Sequence, residues 1–281
     1  MATAFLRALA ARDPRDDIRG ADVLAEAFLD EEHLGPLNDA QARQWVIRNK
    51  IATGAYEFML ARTAFFDEIV RLALQEAIPQ IIFLGAGYDT RSYRFAGFIR
   101  DTRIFELDAA ATQACKRERL QAKGIAIPTT LNFVPVNFET DDLAAALVDA
   151  GFDSLTTSLF VWEGVSYYLS ARVVDETLAF VASHSPSGSS IAFDYASISA
   201  DSLKDTGGRE LRQHMQERHA DEPARFGMPA GSIAEFLSPR GFDVRQHVSA
   251  SDMKERYLAG SRHPELATPP LMFCLVLAEV R

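Results

Sequence analysis

The sequence has few cysteines, a deficit of positive charge and no long apolar run. Only 2 of its 281 residues are cysteines, and Cys115 and Cys274 lie far apart in different predicted elements, without metal-site spacing. We expect both to be reduced packing residues, as is typical of a cytoplasmic protein. No stretch approaches the roughly eighteen apolar residues of a membrane helix. Asp13, Asp16 and Asp17 stand where a secretory signal would be hydrophobic, so a cytoplasmic location without a membrane partner is predicted.

The charge balance limits the partners further. The chain has 29 lysines and arginines against 39 aspartates and glutamates, a formal charge of −10. An acidic protein is a poor partner for phosphate backbones, which argues against nucleic-acid binding. The apolar content of 48% suffices for a sizeable core. Together these values favour a soluble enzyme that acts on small molecules.

One segment is typical of an adenosine-binding turn. Residues 79–108 read PQIIFLGAGYDTRSYRFAGFIRDTRIFELD, which predicts a buried strand, a glycine turn and a second strand that ends on Asp108. Gly85 and Gly87 allow the backbone to turn and to approach a ligand closely. Asp108, at the tip of the second strand, can accept hydrogen bonds from ribose hydroxyls. Glu106 shares its strand face and is the alternative acceptor.

Two common nucleotide signatures are missing from this segment. Thr90 occupies the place of the third small residue of a dinucleotide fingerprint, and no Gly-Lys-Ser or Gly-Lys-Thr run is present. A ligand without phosphates is therefore favoured over a dinucleotide or a nucleoside triphosphate. S-adenosyl-L-methionine is such a ligand.

The order of elements predicts an α/β fold. Residues 1–76 have helical periodicity throughout, with Gly35 and Pro36 separating two blocks, and strands alternate with helices after Pro79. The predicted strands are 80–84, 103–107, 132–136, 155–161, 190–195, one within 239–248 and one within 271–280. The predicted helices between them are 109–123, 140–150 and 171–183. The polar segment 199–228 is interpreted as an inserted lid.

The end of the chain identifies the variant of this fold. About twenty irregular residues separate the last two predicted strands, too few and too rich in proline for a clear crossover helix. The last strand should therefore be antiparallel. We predict a doubly wound, mostly parallel seven-stranded sheet of the class I methyltransferase type. A helical cap would occupy residues 1–76, and a cofactor-binding domain with its lid would occupy residues 77–281.

Four motifs in order resemble the leucine carboxyl methyltransferase family. They are LGAGYDTRSYR at 84–94, FELD at 105–108, VPVNFETDDLAAALVDAGFD at 134–153 and VWEGVSYYLS at 161–170. The resemblance extends from ARTAFFD at 61–67 to the end of the chain. That family includes bacterial enzymes that O-methylate small molecules and polyketides. The resemblance implies S-adenosyl-L-methionine as cofactor and a small-molecule acceptor.

The resemblance also implies roles for single residues. Gly85 and Gly87 would pass under the methionine part of the cofactor, and Asp108 would bind its ribose. Arg62 would hold the cofactor carboxylate through its guanidinium fork, although a surface arginine is the alternative interpretation. Glu163 would face the cofactor and the acceptor from the edge of the fourth strand.

One pair of residues departs from the family pattern. Asn137-Phe138 stands where the family usually has Asp-Leu, so the expected adenine contact changes from a carboxylate to an amide. An asparagine carbonyl still accepts a hydrogen bond. We expect binding weaker by about 1 kcal/mol, because a charge-assisted bond becomes a neutral one.

The sequence identifies no clear catalytic base. Tyr168, after the fourth strand, and His214, in the predicted lid with His219 close by, are the candidates that remain. No histidines and acids cluster at metal-ligand spacing, so no metal is expected. Two alternatives stay open at this point. One is an NAD-dependent oxidoreductase, and the other is a protein that binds S-adenosyl-L-methionine without catalysis.

Overall fold

The protein is described here from a computed structural model of residues 2–218, 225–259 and 262–281, which form an α/β fold around one large sheet. In chain order its strands are β1 (Gln80–Leu84), β2 (Arg103–Asp108), β3 (Leu131–Pro135), β4 (Ser158–Trp162), β5 (Ser190–Ile198), β6 (Met228–Pro229), β7 (Phe242–Val248) and β8 (Phe273–Val280). Across the sheet the order is β3-β2-β1-β4-β5-β8-β7, and β6 pairs with β5. The seven strands along this path confirm the predicted sheet, and the two-residue β6 is an addition to it.

Strand direction changes at one end of the sheet. The strands β1 to β5 are parallel, whereas β8 is antiparallel to both of its neighbours, β5 and β7. The predicted antiparallel last strand is therefore confirmed. The chain order reverses between β1 and β4, because β2 and β3 extend the sheet to one side and β5 extends it to the other. The crevice beyond the carboxyl ends of β1 and β4 is the usual ligand position in such a sheet.

The N-terminal region is less regular than the periodicity predicted. Its helices are α1 (Ala2–Ala11), a 3₁₀ helix (Val23–Phe28), α2 (Glu31–Leu37), α3 (Ala40–Lys50) and α4 (Ala55–Gln75). Residues 12–22 and 51–54 are not helical, so the wholly helical prediction is wrong there. Gly35 and Pro36 lie inside α2 instead of separating two blocks. The shorter break, 51–54, ends at Gly54, whose φ is +79° and where a Cβ would lie 2.4 Å from a backbone oxygen.

The remaining helices are α5 (Arg91–Arg94), α6 (Ala110–Ala122), α7 (Leu143–Asp149), α8 (Ala171–Ser183), α9 (Ala200–Lys204), α10 (Thr206–Arg218), α11 (Ile233–Leu237) and α12 (Ala250–Tyr257). Among them, α6, α7 and α8 agree with the three predicted ranges, whereas the short α5 was not predicted. Helix α12 was not expected, because prolines dominate the sequence that follows it. Ser249 and Asp252 form a capping box at the start of this helix, and Met253 is buried. These two features are enough to stabilise a helix of two turns.

The apolar side chains form two clusters, one on each face of the sheet. Alternate residues of β1 belong to different clusters. Ile81 and Phe83 pack with α1, α4 and α12. Ile82 and Leu84 pack with α8 and α11. The N-terminal helices therefore share the core of the sheet. No helix among the described residues has both the length and the apolar character that crossing a membrane requires.

Candidate functional site

A cavity of about 180 Å³ lies at the point where the strand order reverses. Its walls are the turn 85–89 after β1, residues 163–165 after β4, Thr3 and Arg7 of α1, and Arg62 of α4, together with the ends of the two strands. Ligand pockets for drug-sized molecules usually begin near 300 Å³. The enclosed space therefore suits part of a cofactor rather than the whole of it.

The glycine turn is shaped by two residues with positive φ. Gly85 has φ +72°, and a Cβ there would lie 2.5 Å from the side chain of Val165. Gly87 has φ +46°, and a Cβ there would meet nothing closer than 4.0 Å. Gly85 is thus required by packing within the protein, whereas the space above Gly87 is open to a ligand.

Asp108 lies beside the turn, as predicted, but does not line the cavity itself. Its carboxylate accepts the Gly87 backbone N–H at 2.6 Å through Oδ2 and the Ala109 N–H at 2.7 Å through Oδ1. A carboxylate has about four acceptor positions, so hydroxyl groups of a ligand can still bind. The position is therefore compatible with the predicted ribose contact.

Glu106 cannot replace Asp108 in this role. It is 1% exposed and accepts hydrogen bonds from Lys116 Nζ at 2.7 Å and Ser92 Oγ at 2.7 Å. Burial raises the pKa of Glu106, and the Lys116 ammonium opposes that rise. Residues of α5 and α6 cover this face of β2. Glu106 therefore does not reach the ligand crevice, although it shares a strand face with Asp108.

Arg62 and Glu163 meet at the wall of the cavity. Arg62 Nε lies 3.0 Å from Glu163 Oε1, and the Arg62 NH1 group lies 3.1 Å from Asp194 Oδ2. The side chain of Arg62 is 5% exposed, which excludes the surface-arginine interpretation. Burial would lower the pKa of Arg62, but the carboxylates of Glu163 and Asp194 raise it above its ordinary value.

Two further arginines extend this group and were missed from the sequence. Arg91 binds Asp67 and Glu163, each at 2.7 Å, and also pairs with Asp89. Arg94 binds Asp67 Oδ1 at 2.7 Å. Arg91 and Arg94 stand three residues apart in the quoted DTRSYR motif, but no sequence pattern indicated that Asp67 of α4 would lie against them.

Helix α1 contributes a fourth arginine that the sequence did not identify. Arg7 donates to the Tyr88 carbonyl oxygen at 2.7 Å and lies 3.1 Å from Asp22 Oδ2. Its Nε is buried without a hydrogen-bond partner. Thr90, which replaces the third small residue of the fingerprint, is buried and donates to Asp22 Oδ1 at 2.7 Å. Thr90 thus joins the glycine turn to the N-terminal region.

Asn137 and Phe138 lie outside the lining of the cavity. Asn137 is exposed, and its side-chain carbonyl accepts the Glu139 backbone N–H at 3.0 Å. Its own N–H donates to Asp141 Oδ2 at 2.9 Å. Phe138 is half-buried and packs against the cluster that contains Leu84. Their contact with an adenine ring stays a prediction.

Tyr168, one of the candidate bases, does not line the cavity. Tyr168 is half-buried, with its ring 4.7 Å from that of Tyr167. It is Tyr167 that reaches the arginine group, since Arg62 donates to its hydroxyl at 3.4 Å. The side chain of His214 and all of His219 lie outside the described part of the chain. Among the described residues, there is no group of three or more His, Cys, Asp or Glu side chains that could hold a metal ion.

Comparison with known sequences gives consistent matches. The sequence profile of the leucine carboxyl methyltransferase family matches residues 1–182. A candidate S-adenosyl-L-methionine-dependent methyltransferase of Bacillus subtilis is 30% identical over 203 residues, which cover 72% of this chain and 66% of that protein. A similarly named protein of Mycobacterium tuberculosis is 30% identical over 249 residues, covering 85% of this chain and 71% of the relative. The Bacillus match therefore spans just under two thirds of the relative's length.

Solved structures share the fold at low sequence identity. A DUF574 family protein of Streptomyces avermitilis has a TM-score of 0.63 at 13% identity, covering 100% of this chain and 97% of that chain. A candidate methyltransferase of Thermobifida fusca has a TM-score of 0.60 at 13% identity, covering 99% and 94%. At such identities the likeness concerns the arrangement of helices and strands.

Proposed function

This chain belongs to the leucine carboxyl methyltransferase family, and from that premise we propose that it is an S-adenosyl-L-methionine-dependent O-methyltransferase. The acceptor would be a carboxylate or a hydroxyl of a small molecule, such as a polyketide or another secondary metabolite. The observation that carries the proposal is the glycine turn with Asp108 beside it, at the reversal point of a sheet with an antiparallel last strand. The antiparallel last strand disfavours an NAD-dependent oxidoreductase. Thr90 disfavours it too, because it occupies the place of the third small residue of a dinucleotide fingerprint.

The residues at the site fit the proposed cofactor. The open space above Gly87 allows close approach of a ligand, and Asp108 retains acceptor positions for ribose hydroxyls. The cavity carries both signs of charge, from Arg7 and Arg62 and from Asp89 and Glu163. A methionine moiety is a zwitterion, so it can be complemented at both ends. We assign the adenine to the neighbouring segment at Asn137 and Phe138.

When bound, S-adenosyl-L-methionine supplies an electrophilic methyl group and its own leaving group. The contribution of the chain is to hold the acceptor in line and to exclude water. The carboxylates of Asp89 and Glu163 are held by arginines. Burial raises the pKa of Tyr167 well above its ordinary value, so its hydroxyl stays protonated at neutral pH. This favours an acceptor oxygen that is already anionic, because such an oxygen needs no base.

Calorimetry with S-adenosylhomocysteine tests the cofactor assignment. Wild-type protein should bind it, and Asp108→Ala should weaken binding by about 2 kcal/mol, because the ribose hydroxyls lose a charged acceptor. Asp101→Ala is the matched control, since Asp101 is an exposed acid near the opposite end of β2. A folded wild-type protein that binds NAD and not S-adenosylhomocysteine would disprove the proposal.

Transfer is tested separately with methyl-labelled cofactor. The labelled cofactor is incubated with the protein and with panels of small carboxylic acids and phenols, and the label is followed into the acceptor. Label found on an acceptor oxygen supports the O-methyltransferase. Cofactor binding without transfer to either panel would favour the non-catalytic alternative.

A further inference from the structure

A second cavity, of about 380 Å³, lies on the other side of helix α4 from the first one. The residues of α4 that line it form one stripe at helical spacing: Leu60, Thr63, Ala64, Asp67, Glu68 and Arg71. Arg62, which lines the first cavity, lies on the opposite face of this helix. The two cavities have no lining residue in common. The volume of the second cavity is within the range of small-molecule sites.

Apolar groups form most of the walls of the second cavity. Ile18 comes from the segment between α1 and the 3₁₀ helix, Leu60 comes from α4, and Phe95 follows α5. The ring of Tyr257, at the end of α12, lines the cavity as well. Phe95 and Tyr257 are half-buried, so each has ring surface that a ligand can still cover. The walls therefore suit a ligand with an aromatic body.

Three of the charged side chains on these walls are already paired within the protein. Asp67 is bound by the two arginines of α5. Asp17 lies 3.0 Å from Arg262, and Arg19 pairs with Asp16. A ligand would gain little charge from these groups, because each is already compensated by its own partner.

Glu68 and Arg71 have a different environment. They lie three residues apart on one face of α4, yet among the described residues neither has an oppositely charged side chain within ion-pair distance. Tyr257 donates to Glu68 Oε2 at 3.3 Å and so holds that carboxylate at the cavity wall. An acid and a base one turn apart complement an ammonium and a carboxylate that share one carbon atom. They match the head of a free α-amino acid.

Thr63 provides a polar group at the buried side of the cavity. It is 3% exposed, and its Oγ1 is buried without a hydrogen-bond partner. Along α4 it precedes Glu68 by about 7.5 Å, at 1.5 Å per residue. This separation is close to the length of a tyrosine from its α-carbon to its phenol oxygen. A phenol can donate to the hydroxyl of Thr63 or accept from it.

We propose that this cavity is a second small-molecule site and that it binds a free α-amino acid with a phenol side chain. The ammonium group faces Glu68, the carboxylate faces Arg71, and the phenol oxygen meets Thr63. The ring covers the apolar wall at Leu60. The site does not depend on the proposed cofactor, because no residue of the first cavity takes part in it.

Four ligands that share the aromatic ring test this proposal by ligand-observed NMR on wild-type protein without cofactor. L-tyrosine carries every group, tyramine lacks the carboxylate, 3-(4-hydroxyphenyl)propionate lacks the ammonium group, and L-phenylalanine lacks the phenol oxygen. L-tyrosine should bind most tightly. Each analogue should bind about two- to tenfold more weakly, because it loses one hydrogen bond or one charged contact.

Two variants test the assigned contacts. Thr63→Val keeps the shape of the side chain and should abolish the preference for L-tyrosine over L-phenylalanine. It should not lower stability, because the hydroxyl has no partner to lose. Arg71→Gln should weaken L-tyrosine about two- to fivefold, the range for an exposed ion pair, and leave tyramine unchanged. Arg48→Gln is the matched control, since Arg48 is exposed on α3 and lines neither cavity.

A larger side chain at Ala64 provides an independent test. Ala64→Leu occupies part of the cavity and should weaken all four ligands. Wild-type affinities in this variant, folded, would place the ligands elsewhere and overturn the proposal. No binding of L-tyrosine at its solubility limit, equal binding of the four ligands, or equal effects of Arg71→Gln and Arg48→Gln would overturn it too. None of these outcomes bears on the cofactor, whose binding is measured separately with S-adenosylhomocysteine.

Discussion

Glu163 lies between two buried guanidinium groups, and this position determines what its loss should do. Glu163→Gln removes the carboxylate that compensates Arg62 and Arg91, whose side chains are 5% and 1% exposed. Removing one partner of a buried ion pair typically costs about 3 to 5 kcal/mol. We expect the free energy of unfolding to fall by about 3 kcal/mol in urea titrations.

The control for this prediction is Glu176→Gln. Glu176 pairs with Arg172 on the surface of α8, where both side chains are more than half exposed. Exposed pairs of this kind contribute little to stability. Equal stability of the two variants would show that Glu163 is not the centre of the arginine group.

Asp13 should make stability depend on pH. Its carboxylate accepts the hydroxyl of Tyr56 at 2.8 Å and hydrogen bonds from Arg15, and so ties residues 12–22 to α4. Burial alone would raise the pKa of Asp13, but the bonds from Arg15 and Tyr56 hold it below the ordinary 3.8. The stabilisation is therefore complete above pH 3.8 and is lost as pH falls through the lower, folded-state pKa.

We expect Asp13→Asn to be less stable than wild type at pH 7, with the difference shrinking below about pH 4. Urea unfolding between pH 3 and pH 7 measures it. A difference that grows towards acid would mean that burial dominates and that the pKa of Asp13 is raised.

At the scale of elements, α1 and α3 should respond differently to the cofactor. Thr3 and Arg7 of α1 line the cavity, whereas α3 contributes no lining residue and buries only Val46. S-adenosylhomocysteine should slow hydrogen exchange in α1 and in the turn 85–89, because a ligand that bridges them opposes local opening. Exchange in α3 should not change. Protection of the turn without any in α1 would contradict a direct contact between this helix and the cofactor.

At the scale of the whole molecule, the N-terminal helices and the sheet should unfold together. Phe28, Phe65 and Phe66 of the N-terminal region belong to the same apolar cluster as Phe83 and Phe273 of the sheet. The proposed cap at 1–76 and the proposed domain at 77–281 thus share one apolar cluster. Scanning calorimetry should show one transition, with a ratio of calorimetric to van't Hoff enthalpy of about 1. Two separate transitions would indicate an independently folded cap.

Much of the sheet could be predicted from the sequence, because its signals are local. Strand β1 contains a short apolar run, β2 is the next strand along the chain, and Gly85, Gly87 and Asp108 stand at their ends. The ends of neighbouring parallel strands meet at one edge, so sequence order alone brings the turn and the acid together. Helix α12 was not predicted, because it has no long apolar periodicity. A capping box and one buried methionine stabilise it instead.

The sheet, the glycine turn and the position of Asp108 follow from local sequence, since each depends on residues close together along the chain. The grouping of charges around the cavity depends instead on how the helices pack. Arg7, Arg62 and Asp194 come from α1, α4 and β5, and nothing in their local sequence encodes their proximity. They meet because the helices pack on the sheet, where burial requires each charge to find a partner. That packing leaves one donor of Arg7 unpaired at the cavity wall.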